Sequence, residues 1–143
     1  MRAKLVGCMG LHAKGAFEVK IVPAESSPIG QQGTIGRMTI DKTFSGALEG
    51  SSKGEMLTGI TQSTGSMAYV AIERVAGKLD GRDGTFVLMH NATMLKGDPK
   101  AGEMQVVVVP SSGTGELAGL TGKMTIVIDS AGKHTYDFEY TLP

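Results

Sequence analysis

The most constraining feature of this sequence is the alternation of apolar and polar side chains in short runs, clearest near the C-terminus. Between residues 134 and 142, even positions carry ring-bearing or aliphatic side chains and odd positions carry Thr, Asp or Glu. Successive side chains of a β-strand point to opposite faces, so this run predicts a strand with one face in a core. No segment shows a sustained apolar period of 3.6 residues, which an amphipathic helix would need. The sequence therefore predicts an all-β fold, a meandering antiparallel barrel or sandwich.

Glycine-rich turns separate the runs without marking a domain boundary. One turn contains Asp80-Gly81 and Asp83-Gly84, and Asp-Gly steps favour tight hairpins. Residues 12–143 are predicted to form a single β-barrel domain, preceded by a flexible N-terminal segment over residues 1–11. The runs predicted as strands are 12–22, 34–41, 43–50, 55–62, 66–79, 85–95, 103–110, 123–129 and 134–142.

Composition and charge exclude several classes of partner. The 143 residues carry 14 Lys+Arg and 14 Asp+Glu, so no basic excess favours nucleic acid. No apolar run approaches the roughly 18 residues that span a bilayer, and no membrane partner is expected. Cys8 is the single cysteine, which excludes an internal disulfide. Residues 5–8 (LVGC) resemble the box before a lipidated cysteine, but the apolar region of a signal peptide is missing, so a cytoplasmic protein is predicted.

Alternation also predicts how neighbouring runs pair. Pairing Ile128 with His134 in the last hairpin places Ile126 opposite Tyr136 and Met124 opposite Phe138, so both strands direct apolar side chains inwards.

The central hairpin places an acid and an imidazole on one inner face. With a turn over residues 80–83, Glu73 lies directly opposite His90, with Cβ atoms about 5 Å apart. A longer turn, which shifts the register by two residues, still leaves the two as diagonal neighbours. The sequence therefore predicts a carboxylate beside an imidazole on an otherwise apolar face.

This pair is the candidate catalytic site. Burial raises the pKa of a glutamic acid and a neighbouring imidazolium lowers it, so Glu73 and His90 could exchange a proton near neutral pH. The alternative is structural: the two groups satisfy each other inside a core and set the strand register. The residues expected to contact a substrate from the same lumen are Tyr69, Tyr136, His134, Phe86, Phe138 and Met94.

No metal or cofactor is predicted. His12, His90 and His134 have no local spacing typical of a metal site, so they would bind one only if the fold gathered them. Methionines at 38, 56, 67, 89, 94, 104 and 124 are most simply core-filling side chains; the alternative is a flexible lining for an apolar ligand. The outward set of the run 85–95 is fairly apolar, which favours a homo-oligomer.

Several segments together resemble a bacterial family of small proteins of unknown function with an allene-oxide-cyclase-like barrel. The segments are AKGAFEVK (13–20), SKGEML (52–57), AYVAIERV (68–75), GRDGTFVLMH (81–90), SGTGEL (112–117) and GKHTYDFEY (132–140). The resemblance covers about residues 12 to 142. It implies an eight-stranded antiparallel meander barrel that often forms oligomers, and it supplies neither an activity nor catalytic residues.

Three functions stay open at this level. The first is a cofactor-free isomerase or cyclase that acts on a small apolar substrate by acid–base chemistry in the lumen. The second is a carrier that binds an apolar metabolite without chemistry. The third is a structural oligomer with a filled barrel, because eight strands leave an interior just wide enough for side chains.

Overall fold

Eight antiparallel strands in the described part of the chain close into one barrel. The computed structural model describes residues 10–30, 33–96, 98 and 102–143. Each strand pairs with the next along the chain, and the last pairs with the first, so the predicted all-β meander barrel is confirmed. The relation to allene-oxide-cyclase barrels stays a prediction. The strands are β1 (Leu11–Ala24), β2 (Ile35–Gly46), β3 (Leu48–Ile60), β4 (Met67–Leu79), β5 (Arg82–Met94), β6 (Met104–Val108), β7 (Thr121–Ile128) and β8 (His134–Thr141).

The predicted strand limits are wrong between residues 34 and 62. Three runs were expected there, and the structure has two longer strands, β2 and β3, joined at Ala47. The chain turns at Gly46, whose φ of +97° favours glycine. Gly50 lies inside β3, where a Cβ atom would come within 2.2 Å of the Ala76 carbonyl oxygen. Glycine here permits close approach of two strands, and so does not mark a break.

The N-terminal prediction falls largely outside the described residues. Residues 1–9, including Cys8, are not described, whereas Leu11 already belongs to β1. Within the described residues, no helix has the length and hydropathy needed to cross a bilayer.

The last hairpin forms in the predicted register. Ile128 pairs with His134, Ile126 with Tyr136 and Met124 with Phe138. Met124 and both aromatic residues are buried, as the alternation requires.

A packed core fills one end of the barrel. The rings of Phe86 and Phe138 stack with centroids 5.8 Å apart. The segment between β6 and β7, which contains a 3₁₀ turn over Gly115–Leu117, packs Leu117 and Leu120 into the same cluster. This end, beside the β4–β5 hairpin, is referred to as the closed end.

Candidate functional site

The β4–β5 register brings Glu73 and His90 together diagonally. Leu79 pairs with Arg82, so only Asp80 and Gly81 form the turn, and both have positive φ, at 48° and 83°. Such a turn suits the twist of a hairpin. The predicted four-residue turn and direct pairing are therefore wrong: the turn is two residues shorter, not longer, and this shifts the register by two residues. Glu73 pairs with Leu88, and His90 pairs with Ala71.

Glu73 is fully buried and is held by polar groups from two neighbouring strands. Its Oε2 accepts a hydrogen bond from Lys42 Nζ of β2 at 3.0 Å, and its Oε1 accepts one from Ser52 Oγ of β3 at 3.0 Å. Lys42 is itself 5% exposed, and its ammonium lies 4.8 Å from the centroid of the Phe17 ring. A buried carboxylate thus has a buried cation, a hydroxyl and an imidazole around it.

These neighbours keep Glu73 ionised. Burial raises the pKa of a carboxyl group, but contacts with His90, Lys42 and Ser52 outweigh it, and the pKa of Glu73 lies below its usual value. Glu73 therefore carries its charge at neutral pH.

His90 links this buried pair to Tyr69. Its Nδ1 lies 3.5 Å from Glu73 Oε2, an ion-pair distance, and has no hydrogen-bond partner among the described residues. Its Nε2 lies 2.8 Å from the Tyr69 hydroxyl. Burial and the negative charge of Glu73 raise the pKa of Tyr69 to about 12. Tyr69 therefore keeps its proton at neutral pH. Its hydroxyl can donate a hydrogen bond to His90 Nε2 when the imidazole proton is on Nδ1.

A cavity connects Tyr69 and His90 with the end of the barrel opposite the closed end. Its outer part, here called the mouth, has a volume of about 380 Å³ and is lined by Tyr69, His134 and Met94 among others. A deeper part of about 70 Å³ is lined by Tyr69, His90, His134 and Lys42. A small molecule entering the mouth would meet the Tyr69–His90 pair at its inner end.

The structure separates the other predicted contact residues from this cavity. Phe86 and Phe138 lie in the core of the closed end. The Tyr136 hydroxyl lies 2.7 Å from the Ser45 carbonyl oxygen and accepts a hydrogen bond from the Leu48 amide at 2.9 Å, so it closes the β2–β3 turn. Alternation assigned all three to the inner face correctly, but it does not report how far along the barrel axis a side chain lies.

Sequence reasoning missed Lys42 and Ser52. Splitting β2 at residue 42 hid the parity that groups Ile40, Lys42 and Phe44 on one inward face. A lysine between two apolar residues at spacing two was the available signal. Ser52 was hidden in the same way by the misplaced limits of β3.

The described histidines do not gather into a metal site. His12 lies on the outside, where its Nδ1 is 2.8 Å from Asp137 Oδ1, far from the lumen that holds His90. Among the described residues, no group of three or more His, Cys, Asp or Glu side chains is placed to hold a metal ion.

Comparison with known proteins identifies the family. The model of a family described as "Protein of unknown function (DUF3224)" matches residues 13–140. The chain belongs to this family. A crystal structure of a DUF3224 family protein of unknown function from Shewanella oneidensis MR-1 is 45% identical, with a TM-score of 0.83. The match covers 94% of this chain and 98% of that chain. No curated protein matches the chain. The expected bacterial family of unknown function is thus confirmed.

Proposed function

We propose that the barrel binds a small, mostly apolar molecule that carries one hydrogen-bonding group. The observation that carries this proposal is the cavity that narrows from an apolar mouth onto the Tyr69 hydroxyl and the His90 imidazole. Sites for small ligands commonly combine an apolar lining with a few placed polar groups. The mouth would take the apolar part of the ligand, and Tyr69 would donate a hydrogen bond to its polar group.

Partial filling of the lumen supports binding over a purely structural barrel. The closed end is packed with aromatic side chains, whereas about 380 Å³ remains at the mouth. In a purely structural barrel, larger side chains at the mouth would fill this space and gain packing contacts.

A second candidate function is isomerisation by acid–base chemistry at the same place. The arrangement that favours it is the chain Glu73–His90–Tyr69, in which a buried anion stands behind an imidazole that reaches the cavity. A ligand carbonyl that takes the Tyr69 hydrogen bond would free His90 Nε2. That nitrogen could then remove a proton from the carbon beside the carbonyl and return it two carbons further along, which shifts one double bond.

Glu73 would act in that reaction as a positioning residue. Its charge would hold the His90 proton on Nδ1 and would stabilise the imidazolium that forms on Nε2 protonation. Lys42 would keep Glu73 ionised. The sequence predicted that Glu73 and His90 would both act on the substrate. In this assignment only His90 exchanges a proton with the ligand, because His90 is the group that faces the cavity.

The binding proposal is tested with the neutral apolar dye N-phenyl-1-naphthylamine. Ala92 is buried and lines the mouth, so Ala92→Leu should fill part of the cavity and weaken dye binding at least tenfold. The matched control is Ala76→Leu, which adds the same atoms at an exposed position of β4. Native mass spectrometry of protein purified gently from its host should also show a retained small molecule. Equal dye affinity in both variants would contradict the proposed site.

The catalytic proposal is tested with an apolar β,γ-unsaturated ketone, by following the absorbance of the conjugated product. We expect His90→Gln to lower turnover by about 10²-fold or more, the usual contribution of a general base. Glu73→Gln should lower kcat while leaving dye affinity unchanged. If wild-type protein binds the ketone and releases it unchanged, the carrier function stands and the catalytic one is wrong.

We propose further that the protein associates with copies of itself through the outer face of β3, β4 and β5. Leu57, Val70, Ile72 and Met89 form a contiguous patch there, and each is more than 40% exposed. They border a groove of about 450 Å³. Apolar patches of this kind mark interfaces. Ile72→Glu should shift the mass in solution to that of a monomer; an unchanged mass, or a monomeric wild type, would remove this proposal.

A further inference from the structure

Most methionines in the described part of the chain lie at one end of the barrel. Seven lie in the described part of the chain, and five of them line the mouth of the barrel. The other two lie elsewhere, Met89 on the outer face and Met124 in the core of the closed end. An apolar lining alone would be met equally well by Leu, Ile or Val. The five mouth methionines are Met38, Met56, Met67, Met94 and Met104.

Strand register sets four of these side chains in two facing pairs. Met38 is directly opposite Met56, and Met67 is directly opposite Met94. Directly opposed Cβ atoms lie about 5 Å apart. Because methionine is unbranched and has three rotatable bonds, the two sulfur atoms of such a pair can converge on one point.

The side chains at the mouth offer several sulfur atoms as metal ligands. Thioether sulfur is a neutral, polarizable donor that favours Cu(I), and imidazole nitrogen also suits copper. His134 lines the same mouth and supplies such a nitrogen. We propose that the mouth binds a soft monovalent metal ion, Cu(I), through the sulfur atoms of the paired methionines, with His134 as a nitrogen donor.

The electrostatics of the cavity permit a single positive charge there. The nearest buried cation, Lys42, is neutralised by Glu73 at 3.0 Å. The carboxylate-bearing Glu103 lines the mouth, and Met104 is 44% exposed, so an ion would retain contact with solvent. A monovalent ion therefore avoids the large desolvation cost of a divalent ion in an apolar interior.

The test uses Ag(I), a redox-inert monovalent ion of similar softness, on protein with methyl-¹³C methionine. The protein carries Cys8→Ser and Met9→Leu, which remove two of the three sulfur donors outside the described residues; the third is Met1. NMR spectra should show shifts of the mouth methionine methyl groups, with those of Met89 and Met124 unchanged. Competition with a Cu(I) chelator under reducing conditions then gives the relative affinity for Cu(I) itself.

Leucine variants separate this proposal from apolar ligand binding. The double variant Met67→Leu, Met94→Leu keeps an apolar lining of similar volume but removes one sulfur pair. We expect its Cu(I) affinity to fall at least tenfold more than its affinity for N-phenyl-1-naphthylamine, because leucine keeps the lining apolar but supplies no sulfur donor. The control Met89→Leu should change neither. Wild-type Cu(I) affinity in the double variant, or Ag(I) shifts spread equally over Met89 and Met124, would overturn the metal site and leave the dye-binding proposal intact.

Discussion

Removing the charge of Lys42 tests the buried ion pair that supports the site. The variant Lys42→Met keeps an unbranched side chain over Phe17 but leaves the Glu73 carboxylate buried without its cation. The side chains of Lys42 and Glu73 are only 4% and 0% exposed, so the small values measured for surface ion pairs do not apply. Breaking one partner of a buried pair costs about 3–5 kcal/mol. We expect the free energy of unfolding to fall by that amount.

Urea unfolding of the wild type, Lys42→Met, Glu73→Gln and the double variant measures this loss and isolates the energy of the pair. The double variant Lys42→Met, Glu73→Gln removes both charges. Its free energy of unfolding should exceed that of Lys42→Met by about 2 kcal/mol or more. The control Lys53→Met breaks an exposed pair with Asp41, whose side chains are 86% and 51% exposed, and should cost less than about 1 kcal/mol.

The pH dependence of the stability of Lys42→Met provides a second test, and its direction can be predicted. In the wild type, the lowered pKa of Glu73 contributes stability above the unfolded pKa, and this contribution is lost as the pH falls through the folded value. Without the attraction of Lys42, we expect burial to raise the pKa of Glu73, so that the folded state takes up a proton there more readily than the unfolded state. Mild acidification should therefore stabilise Lys42→Met relative to the wild type. Equal losses in Lys42→Met and Lys53→Met, or a double variant less stable than Lys42→Met, would refute the reasoning.

Further predictions concern the closed end and the core. Tyr136→Phe removes the hydroxyl that accepts the Leu48 amide, and leaving that buried amide unpaired should cost about 1–3 kcal/mol in urea unfolding without changing dye binding at the mouth. Leu88→Ala, at a fully buried position, should cost about 2–5 kcal/mol, whereas Leu57→Ala, at a position 52% exposed, should cost less than about 1 kcal/mol. A small loss for Leu88→Ala would show that the core is not packed as described.

The last hairpin shows how far sequence alternation reaches. Its register follows from apolar side chains on both strands, because a shift by one residue would expose an entire apolar face. The central hairpin shows the limit. A shift by two keeps every side chain on its own face, so alternation did not distinguish direct from diagonal placement of Glu73 and His90. The number of residues in the turn decided it.

Lys42 illustrates a different limit. Its charge favours an exposed position in any pattern based on hydropathy, and only a carboxylate two strands away in the sheet order makes its burial favourable. The five mouth methionines show the same limit: they come from five different strands, and only the closed barrel brings them to one end.

The sequence by itself determined the strand-rich meander and, in the central and last hairpins, the face on which each side chain lies, because both depend on local period and turn chemistry. Only the tertiary structure decided how far along the barrel axis each side chain lies. That position depends on the pairing register of every pair of neighbouring strands in the closed barrel. For this reason Tyr69, His90 and five methionines share a cavity, while Phe86, Tyr136 and Phe138 pack the opposite end.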